Sequence, residues 1–580
     1  MLRRLISRFA PTAGARRGER LLADAEALLA GGEPAAAETL LRDWLRAAPS
    51  EARAHELLGQ ALRRRGDPLA ASHALVRAIE LEGGSLTART ELARCLVDLG
   101  RPGDALPLLR WVLKRDPNLA AAHLANGIAL QELARLEDAL AAFQRAAALA
   151  PPAVEPACHL AMCLRALDRH PEAARELERV LALAPEAPDP ARLLAIVLRE
   201  LGAADRAAAV IQPAVAARPD DVEARCVLAQ VLQELGDLDG ARSQFDAALE
   251  RDPRAASARV GRALLRLAQG DFAGGWDDYA ARLDSAETPR RGFPFPEWDG
   301  GPLAARSVLV YAEQGLGDEI MFASCIPDLV AEAARVVLEC DPRLAALFAR
   351  SFPGVQVQGA PRTREHAWLA SAGAIDVQIA AGSLPGRYRR HVGAFPGARG
   401  YLRADPAGTA RWRGRLDALA PARKIGLAWR GGLVRTRRNT RSLSATALAP
   451  LLARPDVHWI SLQHDATVEE LAALRAVARG GLTHWPEAWS NADEAASLMS
   501  ALEAVVTVCS SVVHLGGALG VRVLTLVPAS PEWRYLVSGS SMPWYPSVEL
   551  VRQPRAGDWQ PVVAAVTRRL DECPAPANPC

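Results

Sequence analysis

An α-helical solenoid followed by a doubly wound α/β region is the fold class that this 580-residue sequence predicts. Two observations carry that prediction. Small residues recur every 34 positions through the first half, and short β-branched runs alternate with helical stretches from Ser307 onward. Half of the residues are hydrophobic and 23% are charged, enough for several packed cores and unlike a disordered chain.

The repeat keeps its register without a slip. One small column reads Ala25, Gly59, Ala93, Gly127, Ala161, Ala195, Ala229 and Ala263; a second, twelve residues on, reads Ala37, Ala71, Ala105, Ala139, Ala173, Ala207 and Ala241. A third column, mostly proline, follows at Pro49, Gly83, Pro117, Pro151, Pro185, Pro219 and Pro253. Small residues let paired helices approach closely, and a terminal proline ends the second helix. Large apolar residues between the columns, such as Leu130 and Phe143 or Leu232 and Phe245, are expected to fill the grooves between neighbours. These columns match the tetratricopeptide repeat (TPR), in seven copies plus a terminal partial one, and place a TPR superhelix over residues 18–288. Such a stack offers a concave face to an acceptor or partner protein, with a spacer or dimerisation arm as the competing role.

Charge and cysteine usage narrow the function classes. A formal net charge of +2 lacks the basic field of a nucleic-acid binder, so no nucleic-acid partner is expected. Apart from Lys114 and Lys424, every basic residue of the Lys and Arg pair is arginine, whose planar fork suits phosphate but whose abundance also follows from genome composition. Nine scattered cysteines form no CxxC pair and no zinc spacing, which predicts reduced thiols, no metal site and a cytoplasmic location. No run approaches eighteen apolar residues, so stable membrane insertion is not expected. The opening stretch 1–17 reads as a basic, solvated leader and 573–580 as a tail.

A turn-rich linker over 289–305, RRGFPFPEWDGGPL at its heart, separates the repeats from the second texture. There SVLVYA, RVVLEC, VQV and IDVQIA alternate with helical stretches that begin near Asp318 and Pro342, predicting a first Rossmann-like lobe over 306–420. A second set, KIGLAW, VHWISLQ, AVVTV, RVLTLV and VELV, predicts another lobe over 421–572, closed by the amphipathic helix in GDWQPVVAAVTRRLDE. Ligands of such lobes are expected beyond the carboxyl ends of the strands.

Chemistry is expected at two strand-to-helix corners. In Glu313–Glu319, Gly315 and Gly317 let the backbone approach a ligand closely, and Asp318 supplies a carboxylate able to accept a hydroxyl proton. Capping and complementing its own helix is the simpler role for Asp318; Glu313 and Glu319 stand in reserve, with Glu319 expected to face solvent. The second corner, Cys509–Gly520, runs through small polar residues into a helix whose first amides are unpaired donors. Ser510, Ser511, His514 and Gly516, with Leu515 among them, would surround phosphate there, His514 donating when protonated. Arg430, after KIGLAW, is placed to meet an anion, with Arg437, Arg438 and Arg441 as a basic loop beside it. Arg437 and Arg438 read as a solvated basic surface, whereas Arg430 and Arg441 are kept as binders of a donor phosphate because both lie in motifs that carry a family resemblance, GLAWRGG and NTRSLS. Gln463, ending a buried strand, would read a base or sugar edge. No Walker A lysine, HExxH or GxSxG is present.

Taken in order, YAEQGLGDEIMFASCIPDL, GLAWRGG, NTRSLS, SLQ, VTVCSSVVHLGGALG, PEWRYL and WYPS resemble the bacterial TPR-linked glycosyltransferases. The catalytic part of those enzymes is similar to the heptosyltransferases of glycosyltransferase family 9 and, more distantly, to O-GlcNAc transferases. The resemblance covers Pro289 to about Leu570 and implies a GT-B fold, metal-independent sugar transfer from a nucleotide-sugar co-substrate without a further cofactor, and Asp318 as the base. It also implies a protein acceptor, with flagellin as a candidate. Two departures matter. Cys509, Ser510 and Ser511 stand where the family commonly has Asp-Thr-Ala, and the asparagine ladder of O-GlcNAc transferases is replaced by Leu57, Glu91, Ala125, His159, Leu193 and Val227. The first departure motivates a second reading, a catalytically degenerate TPR adaptor.

Overall fold

The computed structural model describes residues 13–285, 290–362, 366–397, 400–432 and 434–572. The leader up to position 12, the linker start at Pro289 and the tail 573–580 lie outside the described residues. The chain packs as two units, Met1–Val197 and Leu198–Cys580.

Sixteen α-helices lie between Ala13 and Tyr279. Each of the small columns does what its residue types imply: Ala25, Ala37, Ala71, Ala93, Ala105, Ala139, Ala173, Ala207, Ala241 and Ala263 are all fully buried. In the first unit, helix Ala120–Glu132 packs on Leu136–Leu149 so tightly that a Cβ on Gly127 would sit 2.5 Å from the Phe143 ring. In the second, a Cβ on Gly261 of Ala256–Ala268 would sit 2.3 Å from the ring of Phe245. The side chains of Asp67, Ser85, Asp221, Asp237 and Asp271 cap the following helices by accepting an amide from the first turn.

A further 34-residue column is conformational. Gly32, Gly66, Gly100, Gly202, Gly236 and Gly270 hold the left-handed region at the turn inside each helix pair, and Ala134 and Asp168 occupy the same position with φ of 57° and 59°.

The α/β part holds two sheets. The first, in order β3-β2-β1-β4, is entirely parallel and comprises β1 (Ser307–Tyr311), β2 (Arg335–Cys340), β3 (Gln356–Gly359) and β4 (Val377–Ala380). The second, in order β10-β11-β9-β8-β5-β6-β7, comprises β5 (Arg423–Ala428), β6 (Val457–Ser461), β7 (Leu482–Thr483), β8 (Ala504–Val508), β9 (Val523–Val527), β10 (Ser541–Met542) and β11 (Tyr545–Arg552). Among the strands of the described residues, only β10 runs antiparallel, against β11. The central strands β1, β8 and β9 are buried along their whole length, which is why their sequences read as unbroken β-branched runs without alternation. The two-residue strands β7 and β10 have no such run to announce them.

The last repeat helices belong to the same unit as the sheets. Trp276 and Tyr279, on helix Phe272–Tyr279, pack with Trp533 at ring-centroid distances of 5.5 and 6.1 Å, and Trp276 meets Trp544 edge-on at 6.3 Å. The indole of Trp276 donates to the carbonyl of Arg389 at 2.9 Å, and the amide of Val537 donates to the carbonyl of Ala268 at 2.9 Å.

Candidate functional site

Two strand-to-helix corners, one from each sheet, meet at a cavity of about 580 Å³. At the first, β1 ends at Tyr311 and the chain turns through Gly315, the N-cap of helix Leu316–Phe322. At the second, β8 ends at Val508 and Ser510 caps helix Ser511–Ala518. The helices touch: a Cβ on Gly317 would lie 3.1 Å from His514 Cδ2 and 3.5 Å from Ser511 Cα, so glycine is what lets the corners close on each other. Gly317, Asp318, Arg430, Arg441, Gln463, Ser510, Ser511, His514 and Leu515 all line the cavity.

Asp318 is not free at its corner. Arg534, from the loop after β9, donates from Nε to Oδ1 at 3.1 Å and from Nη2 to the same oxygen, while Oδ2 lies on the side of Gly315. Arg534 also pairs with Glu532 at 3.3 Å and stacks over Trp533. The loop that carries it is fixed from behind by Trp276, Tyr279 and Ala268, and Arg552 donates to the carbonyls of Leu536, Ser538 and Gly539. Tyr279 in turn donates to Gln314 at 3.0 Å. The partner of Arg534 lies 216 positions away, and no local pattern in the sequence announces the pair.

The reserve carboxylates are structural. Glu313 is buried against Arg282 at 2.8 Å and accepts the amide of Gly382 at 3.1 Å. Glu319, expected to face solvent, is buried instead: it accepts the Asp341 amide at 2.9 Å and pairs with Arg362. Its side chain turns away from the cavity toward the segment after β2, and burial there pushes its carboxyl up to about 7 despite the amide and Arg362.

On the opposite corner, the Ser510 hydroxyl accepts the Val512 amide at 3.3 Å and lies 3.3 Å from the Thr507 hydroxyl. His514 sits 3.1 Å from the Tyr545 hydroxyl, and burial, with Arg534 nearby, pushes its imidazole down to about 3. It is therefore neutral at physiological pH, not protonated as the phosphate role assumed; it can donate one hydrogen bond but brings no charge. Gly516 faces away from the cavity: a Cβ there would meet Val523 at 2.7 Å and Met499 at 3.0 Å, so its small size serves helix-on-sheet packing. The thiol of Cys509 is buried toward the Leu526 carbonyl at 3.9 Å, and burial pushes it up to about 12.

The arginines at the cavity are mostly matched by carboxylates. Arg430 donates to Asp465 Oδ2 at 2.9 Å and lies 3.0 Å from Glu470. Gln463 accepts the Arg430 amide at 3.0 Å and donates to Asp465 at 2.6 Å, which ties the ends of β5 and β6 together. Arg441 is buried, paired with Glu532 at 2.5 Å and donating to Thr436 at 2.6 Å. Among the described residues, no group of three or more His, Cys, Asp and Glu side chains is arranged to hold a metal ion.

A helical repeat array joined to a parallel α/β region with a cleft at its strand ends is the class that fold and cavity define. A tetratricopeptide-repeat family model matches residues 22–85, 90–154, 160–222 and 226–289. Repeats of this kind give a chain a protein-interaction surface. Protein FlbA of Caulobacter vibrioides is 31% identical over 313 residues, 51% of this chain and 52% of FlbA. The chain thus spans about half the length of the curated relative it matches. Similar solved structures include a tetratricopeptide repeat protein from Parabacteroides merdae, 18% identical over 40% of this chain and 93% of that one, with a TM-score of 0.33. Yeast Tom70 is 20% identical over 44% of this chain and 55% of its own, with a TM-score of 0.35. No helix among the described residues is long and apolar enough to cross a membrane.

Proposed function

We propose that the chain is a cytoplasmic glycosyltransferase with a GT-B arrangement of its two lobes, moving a sugar from a nucleotide-sugar to a hydroxyl of a protein recruited by the repeats. Flagellin is the acceptor to try first. The observation that carries the reading is the meeting of the two corners: Asp318 stands on one side of a cavity whose other side is the Ser510–His514 helix start. In the reaction, the acceptor oxygen attacks the anomeric carbon, the bond from that carbon to the diphosphate oxygen breaks, and the electron pair leaves with the diphosphate. The acceptor proton passes to the Asp318 carboxylate, which Arg534 holds in place. Ser510 already takes the Val512 amide, so in this reading the Ser511 amide and the neutral His514 are the donors offered to the developing diphosphate charge.

The test is transfer of labelled sugar from UDP-, GDP-, ADP- or CMP-linked donors to protein in a cell lysate and to purified flagellin, with Asp318→Ala as the control. Labelling that depends on Asp318 supports the reading; labelling that survives the substitution removes Asp318 from it. The adaptor reading is favoured by one observation, the carboxylates already paired with Arg430 and Arg441. A chain that binds none of those nucleotide-sugars yet captures partner protein would be the adaptor.

A further inference from the structure

Among the described residues, five arginines line the cavity: Arg343, Arg430, Arg438, Arg441 and Arg534. Four have carboxylate partners. Arg343 pairs with Asp341 at 2.8 Å, Arg430 with Asp465 and Glu470, Arg441 with Glu532, and Arg534 with Asp318 and Glu532. Arg438 has no carboxylate partner among the described residues. A diphosphate that approached Arg430 or Arg441 would have to displace or share a bound carboxylate, whereas at Arg438 it meets an uncompensated guanidinium.

The loop that presents Arg438 is anchored at both sides. Arg437 adopts φ of 59°, a left-handed conformation that an arginine keeps only when its surroundings hold it. Its guanidinium lies 3.4 Å from Glu234, on repeat helix Val222–Leu235, and 3.5 Å from the Ser530 hydroxyl; Glu234 is itself gripped by Arg199 at 2.7 Å. The carbonyl of Arg437 accepts the Thr440 hydroxyl at 2.9 Å, and that of Arg438 accepts the Ser442 hydroxyl at 2.7 Å. A Cβ on Gly202, at a repeat turn, would reach Thr440 at 3.0 Å. Repeat helices thus brace the backbone from which Arg438 extends.

We infer that Arg438 is the residue that binds the donor diphosphate, and that Glu234, through Arg437, is the positioning residue that sets its loop. The inference rests on the glycosyltransferase reading and names the cation of that site. Its test uses the full chain and titrates UDP, GDP, ADP and inorganic pyrophosphate into wild type and into Arg438→Ala, Arg438→Lys, Arg430→Ala and Glu234→Gln, each checked for folding by circular dichroism. For the diphosphates that wild type binds, Arg438→Ala is expected to weaken binding about tenfold or more and to flatten its salt dependence, while Arg438→Lys retains part of the affinity. Glu234→Gln should shift affinity in the same direction by less, with the helical circular dichroism of the folded chain retained. Arg438→Ala binding like wild type, or Arg430→Ala producing the larger loss, overturns the inference while Asp318-dependent sugar transfer leaves the reading standing. A wild-type chain that neither binds any of the four probes nor transfers sugar overturns both.

Discussion

The Asp318 carboxylate at the β1 corner is held by Arg534 from the loop after β9, with Nε 3.1 Å from Oδ1, so residues 216 positions apart are joined across the cavity. This pair makes chemistry and stability separable. Asp318→Asn keeps the shape and an oxygen for Arg534 but removes the carboxylate that the proposed transfer uses as its base. Transfer should fall by about 10²-fold or more with a melting temperature near that of wild type. Arg534→Ala instead leaves the carboxylate without its cation in a pair whose side chains are only 15% and 18% exposed, and should destabilise the α/β part by about 3 kcal/mol. Initial-rate assays and urea melts separate the two; Asp318→Asn working at the wild-type rate would remove the base from the mechanism.

Two buried groups titrate with opposite sign. His514, pushed down to about 3 by burial and by Arg534, stays neutral in the fold while its unfolded counterpart takes a proton below about 6.5. Its stability contribution is complete above about 6.5 and is lost as pH falls toward 3. Glu319, pushed up to about 7, keeps its proton in the fold where the unfolded carboxyl has lost it, so its contribution is complete below about 4.5 and is lost as pH rises through 7. In urea melts from pH 4 to 8, His514→Gln should flatten the acid side of the stability curve. Glu319→Gln should gain on wild type progressively between pH 5 and 8. Parallel curves for wild type and variant would contradict the burial argument for that residue.

What the sequence made legible follows from the range of the interactions involved. The helix pairs, the β-branched strands and the two glycine-bearing corners are local patterns of period, size and backbone freedom, and they stand where those patterns put them. Arg430 and Arg441 were likewise placed at the cavity, which they line, but their charge is set by Asp465, Glu470 and Glu532, and the Arg441 partner lies 91 positions away. Glu319 and Gly516 illustrate the same limit: which face of a short helix is covered depends on what packs over it, here Asp341 with Arg362 and Val523 with Met499. The turn column at 34-residue spacing was readable as glycine, except where Ala134 and Asp168 interrupt it.

That interruption predicts a stabilising change. Ala134 is exposed and sits at φ 57°, where its Cβ crowds the backbone by roughly 1–2 kcal/mol. Glycine relieves that crowding but loses more chain entropy on folding, so Ala134→Gly should raise stability by about 1 kcal/mol. The control is Gly100→Ala, the same turn one repeat earlier at φ 72°, which should lower it by a similar amount. Thermal melts of the two variants moving in the same direction would remove backbone strain as the explanation.

Trp276 tests whether the last repeat helix is part of the α/β core or an appendage to it. Its ring fills the space between Trp533, Trp544 and Tyr279, its indole N–H satisfies the Arg389 carbonyl, and Trp533 stands next to the arginine that holds Asp318. Removing the ring leaves a cavity and an unpaired carbonyl, for which about 3–5 kcal/mol is the ordinary loss. Because that loss falls on the loop carrying Arg534, Trp276→Ala should expose the β8–β9 region to proteolysis and hydrogen exchange and weaken transfer, although Trp276 itself lies in a repeat helix. Trp276→Phe, which keeps most of the apolar volume and loses the N–H, should lie between. If the α/β amides keep wild-type protection in Trp276→Ala while only those of Phe272–Tyr279 open, the repeat helix is an attachment to the site and not part of the frame that holds it.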